Sequence, residues 1–201
     1  MGTGGELNRL NGKAGISAPA NSVPIIRLIN AHKPQSNEEL VQLIEYHHTH
    51  DCPCGIKSKG TVYDFGKNLY QAQKEHYGEY RHSLEECMQW EYDLFITNSL
   101  KGNKMEQKAI DELKLWLPTT YDIRKTDRVT DEEHRIDLTV TDKTIGKTLG
   151  IQVKPKTYKY MGENVKRQNR KLNRKSKFPT AYMYYDDNGE FINIKEIMEK
   201  I

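Results

Sequence analysis

The rhythm of apolar positions changes near the middle of the chain. Up to about residue 102 they recur three and four apart, the spacing of one buried helix face. Leu40, Leu43 and Ile44 mark a helix over 37–48, opened by the capping-box pattern Ser36-Asn37-Glu38-Glu39. A second helix is expected over 67–76. A third, capped by Ser83 with Glu86, carries Trp90, Leu94 and Phe95. The stretch 49–61 has no period and reads as loop. The first twenty residues, rich in Gly, Asn, Ser and Ala, read as loosely ordered chain.

Beyond Lys101-Gly102, expected as the loop that separates a mainly helical region 1–102 from a second region 103–201, strand patterns enter. Asn103 can cap a helix over 103–117, with Met105, Ile110, Leu113 and Leu117 on one face and Pro118 ending it. Strands are expected at 121–125, 135–141 and 149–154, then a polar, basic helix over 163–175. Ala181-Tyr182-Met183-Tyr184-Tyr185, the turn Asp186-Asp187-Asn188-Gly189 and Phe191-Ile192-Asn193-Ile194 predict a hairpin, followed by a short terminal helix. The order of helix, three strands, helix and further strands predicts an α/β fold with a mixed sheet flanked by helices.

Composition narrows the class. At 201 residues the chain can bury a real core, and 36% hydrophobic residues, 29% charged residues and a mean hydropathy of -0.84 describe a polar protein. No apolar run approaches the roughly 18 residues of a membrane span, and MGTGGELNRLNG lacks a signal-peptide core, so the expectation is a cytoplasmic protein without a membrane partner. Three cysteines, Cys52, Cys54 and Cys87, give no reason to expect disulfides there. The net charge of +3 is small, but its distribution is uneven: Lys143 to Lys177 holds twelve Lys or Arg against one acid, Glu163. Such a run points to a polyanionic partner, nucleic acid first.

Two strands carry the candidate chemistry. Arg135-Ile136-Asp137-Leu138-Thr139-Val140 sets a carboxylate between aliphatic residues, where it must be paired or bind a metal. Gly150-Ile151-Gln152-Val153-Lys154-Pro155 sets an amide and an ammonium two apart, hence on one face. The short turn from Asp142 to Lys147 returns the second strand antiparallel beside the first, which brings Asp137, Gln152 and Lys154 together at a sheet edge. Oxygen donors beside a lysine suit Mg²⁺-assisted phosphodiester hydrolysis.

These two words, Asp137 followed fifteen residues later by Gln152-Val153-Lys154, resemble the motif of the PD-(D/E)XK nucleases. The likeness runs from about 103 to 194, and RIDLTV and GIQVKP are most similar to type II restriction endonucleases, in particular the small family that includes the methanogen enzyme cutting at CTAG. The resemblance implies a core of helix, three-stranded meander, helix and further strand. It also implies Asp137 as the central metal ligand, Lys154 as the catalytic lysine, Glu106 as the acid of the preceding helix, and Mg²⁺ as cofactor, with Mn²⁺ able to substitute. Gln152 departs from the usual Asp or Glu, which weakens metal affinity; Glu106 can restore the charge, or else simply complete a capping box with Asn103. The implied activity is site-specific cleavage of double-stranded DNA by a homodimer, leaving a 5′-phosphate and a 3′-hydroxyl.

Further residues bear on partners. Lys166, Arg167, Arg170, Lys171 and Arg174 recur on one side of the basic helix, with Gln168, Asn169 and Asn173 between them, and Lys156 and Lys159 precede it. The cations suit phosphates and the amides suit base edges. His47, His48, His50, Cys52 and Cys54, with His82 and Cys87 further on, allow a structural zinc site, although the C-X-C spacing disfavours one. Gly55 to Thr61 does not follow G-X4-G-K-[ST], so no nucleotide cofactor is expected. The alternatives to a restriction enzyme are a repair or junction nuclease that reads shape, and a non-catalytic nucleic-acid-binding module, a reading fed by Gln152.

Overall fold

The computed structural model describes residues 3–18 and 20–201, without the side chains of residues 3, 4, 128, 129 and 132. It divides into two compact units, Met1–Lys101 and Gly102–Ile201, each with its own apolar core.

The first unit is helical: α1 (Thr3–Ala14), α2 (Ile25–His32), α3 (Asn37–Thr49), α4 (Val62–Tyr77) and α5 (Leu84–Tyr92). Helix α1 corrects the expectation of loose chain, although residues 1, 2 and 19 of that stretch lie outside the described ones. Leu7 and Leu10, three apart, are each 1% exposed, and burying two leucines at roughly 2 kcal/mol apiece offsets the glycines within the helix. Ser36 Oγ accepts from Glu39 N–H, and Ser83 and Glu86 form the expected capping box. Helix α4 starts earlier than its apolar spacing indicates because Thr61 and Asp64 form a box of their own. Gly66 lets α4 approach α5: a Cβ there would lie 2.6 Å from Met88 Cα.

Helix α5 continues through a π-helical turn, Asp93–Thr97, directly into α6 (Asn98–Trp116). The Lys101-Gly102 stretch expected as loop is therefore helical, and the two units divide within this helix. Asn103 lies in the helix interior and is not the residue at which the helix begins.

In the second unit, β1 (Tyr121–Lys125), β2 (Leu138–Asp142) and β3 (Thr148–Pro155) form an antiparallel meander. Helix α8 (Glu163–Asn173) then leads to β4 (Thr180–Tyr185), which lies parallel to β3, so the sheet is mixed with the order β1-β2-β3-β4. One face packs Leu138, Val140, Leu149, Ile151, Val153, Ala181 and Met183 against Met105, Ala109, Ile110 and Leu113 of α6. The alternate positions Thr139, Gln152, Lys154, Tyr182 and Tyr184 belong to the other face. This is the α/β core that the element order predicts.

Two departures follow from side chains that compete with the backbone. A short helix, α7 (Arg128–His134), opens where Asp127 accepts from Thr130 N–H and closes where Arg135 turns left-handed at φ 54, so β2 begins at Leu138 and not at Arg135. After β4 the expected hairpin shrinks to the single bridge Tyr185–Phe191. There Asp186 Oδ1 accepts the Asn188 and Glu190 amides, and the Asn193 side chain accepts from Tyr184 N–H at 2.8 Å and donates to Tyr182 O at 2.9 Å. Asn193 thus occupies the edge that a fifth strand would take. A short helix, α9 (Ile194–Met198), follows. Among the described residues no helix is long and apolar enough to cross a membrane.

Candidate active site

Asp137 immediately precedes β2. Its N–H donates to Ile151 O at 3.0 Å and its carbonyl accepts from Thr126 N–H at 3.1 Å, so its backbone is held by β3 on one side and by the residue that follows β1 on the other. Its carboxylate Oδ2 accepts from Val153 N–H at 2.7 Å. A side chain thus takes the place of a ladder carbonyl, which fixes its rotamer. The Lys154 ammonium lies 3.7 Å from the same oxygen. Gln152, two residues before Lys154 and 2% exposed, has no hydrogen-bond partner for Oε1 among the described residues. Because β2 and β3 are the inner strands, these residues lie in the middle of the sheet, which corrects the expectation that placed them at a sheet edge.

Glu106 projects from α6 and pairs through Oε2 with Lys125 Nζ of β1 at 2.9 Å. Its capping alternative is excluded, since Asn103 is no cap. Burial pushes the Asp137 carboxyl up to about 7; the Lys154 ammonium pulls it down, the Glu106 carboxylate adds to the rise, and the Val153 amide opposes it. Lys154 and Glu106 thus both act on Asp137, and Gln152 shares a face of β3 with Lys154. Lys125 joins them unforeseen. The available signal was its register, which pairs it with Leu138, next to Asp137.

The donor set is one of hard oxygens: a desolvated carboxylate, a second carboxylate within electrostatic reach, and a buried amide oxygen without a partner. Such a set fits Mg²⁺. A dication would satisfy the orphan oxygen and return Asp137 to its charged form.

The basic segment lies on the tyrosine face of the sheet. Tyr158 stacks on Tyr182, with ring centroids 5.5 Å apart, and Asn169 donates to the Tyr158 hydroxyl at 2.6 Å. Asn173 is buried: its amide donates to His134 O and Arg135 O and accepts from Tyr182 OH at 2.7 Å. These two asparagines anchor α8, so neither is free to read a base edge as expected. Val165, the apolar residue of its first turn, is 41% exposed and so adds little to that anchoring. Lys166 donates to Lys159 O at 2.6 Å, Arg170 pairs with Glu163 at 2.8 Å, and Lys156 pairs with Asp187. Lys159 Nζ sits 4.6 Å from the Tyr184 ring centroid. Arg167, Lys171 and Arg174 are exposed, Arg167 reaching Asn164 at 3.3 Å.

No individually curated protein and no solved structure matches the chain. The family model for MjaI restriction endonuclease matches residues 6–197, nearly the whole chain and both units. The nuclease motif, the mixed sheet that brings it together and this match agree: the chain belongs to the MjaI restriction endonuclease family, a family of nucleases that act on DNA.

Proposed function

We propose that the protein is a Mg²⁺-dependent type II restriction endonuclease that hydrolyses duplex DNA at a short specific site. The observation that carries this reading is the Lys154 ammonium 3.7 Å from the Asp137 carboxylate, with the buried Gln152, whose Oε1 has no partner among the described residues, two positions away on the same face of β3.

Asp137, Gln152 and Glu106 would hold the ion. Bound there, Mg²⁺ (or Mn²⁺ in its place) supplies a Lewis acid that draws charge from the scissile phosphate. The Val153 amide keeps Asp137 in place for that task. Lys154, as an ammonium, orients the attacking water and faces the negative charge that grows on the phosphoryl oxygens, and the water's proton passes to solvent. Water attacks phosphorus in line, the bond from phosphorus to the 3′ oxygen breaks, and the products are a 5′-phosphate and a 3′-hydroxyl. Gln152 contributes a dipole where a carboxylate would contribute a charge, so Glu106 carries the second negative charge of the site.

Arg167, Lys171 and Arg174 on α8, with Lys156, Lys159, Lys166 and Arg170 beside them, are the phosphate contacts of this reading. A palindromic site calls for a two-fold reader, so the active form is a homodimer. Digestion of plasmid DNA of known sequence, with and without Mg²⁺ and with the ends sequenced, tests the proposal. Discrete bands that appear only with the ion are expected. Cutting confined to branched or damaged DNA, or no cutting at all, would overturn it.

A further inference from the structure

The first unit holds a second convergence of polar side chains, made of different donors. His32 is the last residue of α2, His47 lies in the last turn of α3, and Cys52 and Cys54 flank Pro53 in the loop that follows. The ligand atoms of all four lie within 4.8 Å of one another. A tetrahedral zinc site, with Zn–S near 2.3 Å and Zn–N near 2.0 Å, spaces its ligand atoms roughly 3.3 to 3.8 Å apart. One pair already has that spacing, with His47 Nε2 at 3.3 Å from Cys54 Sγ. The two imidazoles meet edge to face, their centroids 4.8 Å apart.

The protonation of His47 follows from its neighbours. Its Nδ1 lies 2.7 Å from Leu43 O, a carbonyl that can only accept, so Nδ1 carries the proton. In the neutral ring Nε2 then presents a lone pair, and it presents it to sulfur. A backbone carbonyl behind one ring nitrogen, with the other aimed at thiols, is the arrangement that holds a zinc-ligating histidine. His47 is fully buried.

The surrounding chain shows what such an ion would organise. From Asp51 to Gly60 there is no helix or strand, yet Ile56 and Ser58 are 3% and 2% exposed. Ser58 N–H donates to His47 O and Gly55 N–H donates to Cys52 O, the latter closing a tight turn in which Gly55 adopts φ 68. Long segments without secondary structure are uncommon inside a compact unit unless something fixes them. The sequence alone disfavoured zinc because C-X-C offers one tight pair. The missing member is His32, twenty residues before Cys52, which no local spacing reveals.

We propose that His32, His47, Cys52 and Cys54 bind one Zn²⁺ ion that fastens the 51–60 loop to the ends of α2 and α3. Four protein ligands close the coordination sphere, so the site is structural and separate from the oxygen-donor cluster of the second unit. His48 and His50, also in the histidine-rich stretch, are not ligands.

Elemental analysis of the full-length protein, purified without chelator and dialysed, tests this. About one zinc per chain is expected, falling to about a tenth in Cys54→Ser and in His32→Ala, while His48→Ala and His50→Ala retain it. Replacement of zinc by Co²⁺ in the wild-type protein guards against variants that do not fold. Intense visible d–d bands together with thiolate-to-cobalt charge transfer report tetrahedral coordination with sulfur. Wild-type protein that holds no zinc and gives an octahedral cobalt spectrum overturns the proposal. So does Cys54→Ser protein that keeps a full equivalent of zinc.

Discussion

Glu91 on α5 and Asp137 at the head of β2 are both carboxyls removed from water, one in each unit, and burial pushes them up to about 8 and about 7. Their surroundings differ. Neither Glu91 oxygen has a hydrogen-bond partner among the described residues, and burial alone accounts for its rise. Asp137 accepts a backbone N–H, faces an ammonium at 3.7 Å and feels a second carboxylate. Desolvation by itself yields a neutral acid in a helical core. Desolvation opposed by an amide and a lysine yields a group that one further cation would switch to its charged form. The second arrangement is what a metal-dependent site requires.

The largest effect that should separate the two is catalytic. Asp137→Asn keeps the shape of the side chain and removes its charge, and cleavage in Mg²⁺ should fall by about 10³-fold or more. Glu91→Gln should stay within about threefold of wild type, because its change belongs to stability. Single-turnover digestion of a cleavable plasmid measures both.

The next effect concerns stability against pH. Each group binds its proton more tightly when folded, so its contribution is complete below its unfolded value and is lost as pH rises through the folded value. For Glu91 that window runs from about 4.5 to about 8, and the loss is on the order of 4 kcal/mol. Urea midpoints at pH 5 and pH 8 should show the decline in wild type and a smaller one in Glu91→Met. The Asp137 decline, from about 3.8 to about 7, should disappear when Mg²⁺ is present. The Glu91 decline should not change with the ion. A Glu91 response to Mg²⁺ would erase the distinction between the two carboxyls.

A smaller effect is expected at Asn173, which ties α8 to the chain before β2 and to Tyr182. Asn173→Ala leaves two carbonyls and a hydroxyl without their partner and should cost about 2 kcal/mol. Denaturant unfolding measures it. Arg174→Ala, one residue along and exposed, should stay within about 0.5 kcal/mol while weakening DNA binding.

Which features were legible in the sequence depended on how local their cause was. The two-residue period put Gln152 and Lys154 on one face, and the short turn at 142–147 was enough to pair β2 with β3. The same logic placed Tyr121–Lys125 as a strand. Helix α1 was hidden because glycines and asparagines surround the two leucines that bury it, and their burial depends on partners far along the chain. The unbroken run of α6 through 98–116 could not be foreseen either, since Gly102 and Asn103 read locally as a break. At the site, Asp137 and Lys154 stood out through their apolar neighbours, whereas Lys125 and the unpartnered state of Gln152 depend on which strand lies beside which. His32 depends on where two helices end. Competition by the side chains of Asp127, Asp186 and Asn193 for backbone amides accounts for the shortened β2 and the missing fifth strand.

The central claim, that Lys154 performs chemistry beside Asp137 and does not merely neutralise it, is tested most directly by Lys154→Ala. Single-turnover cleavage and equilibrium binding of a duplex carrying the target site should be measured on the same preparation. Cleavage should fall by about 10³-fold or more while binding changes by less than about threefold. Cleavage within tenfold of wild type, or cleavage and binding lost together in a protein that still unfolds cooperatively, would contradict it.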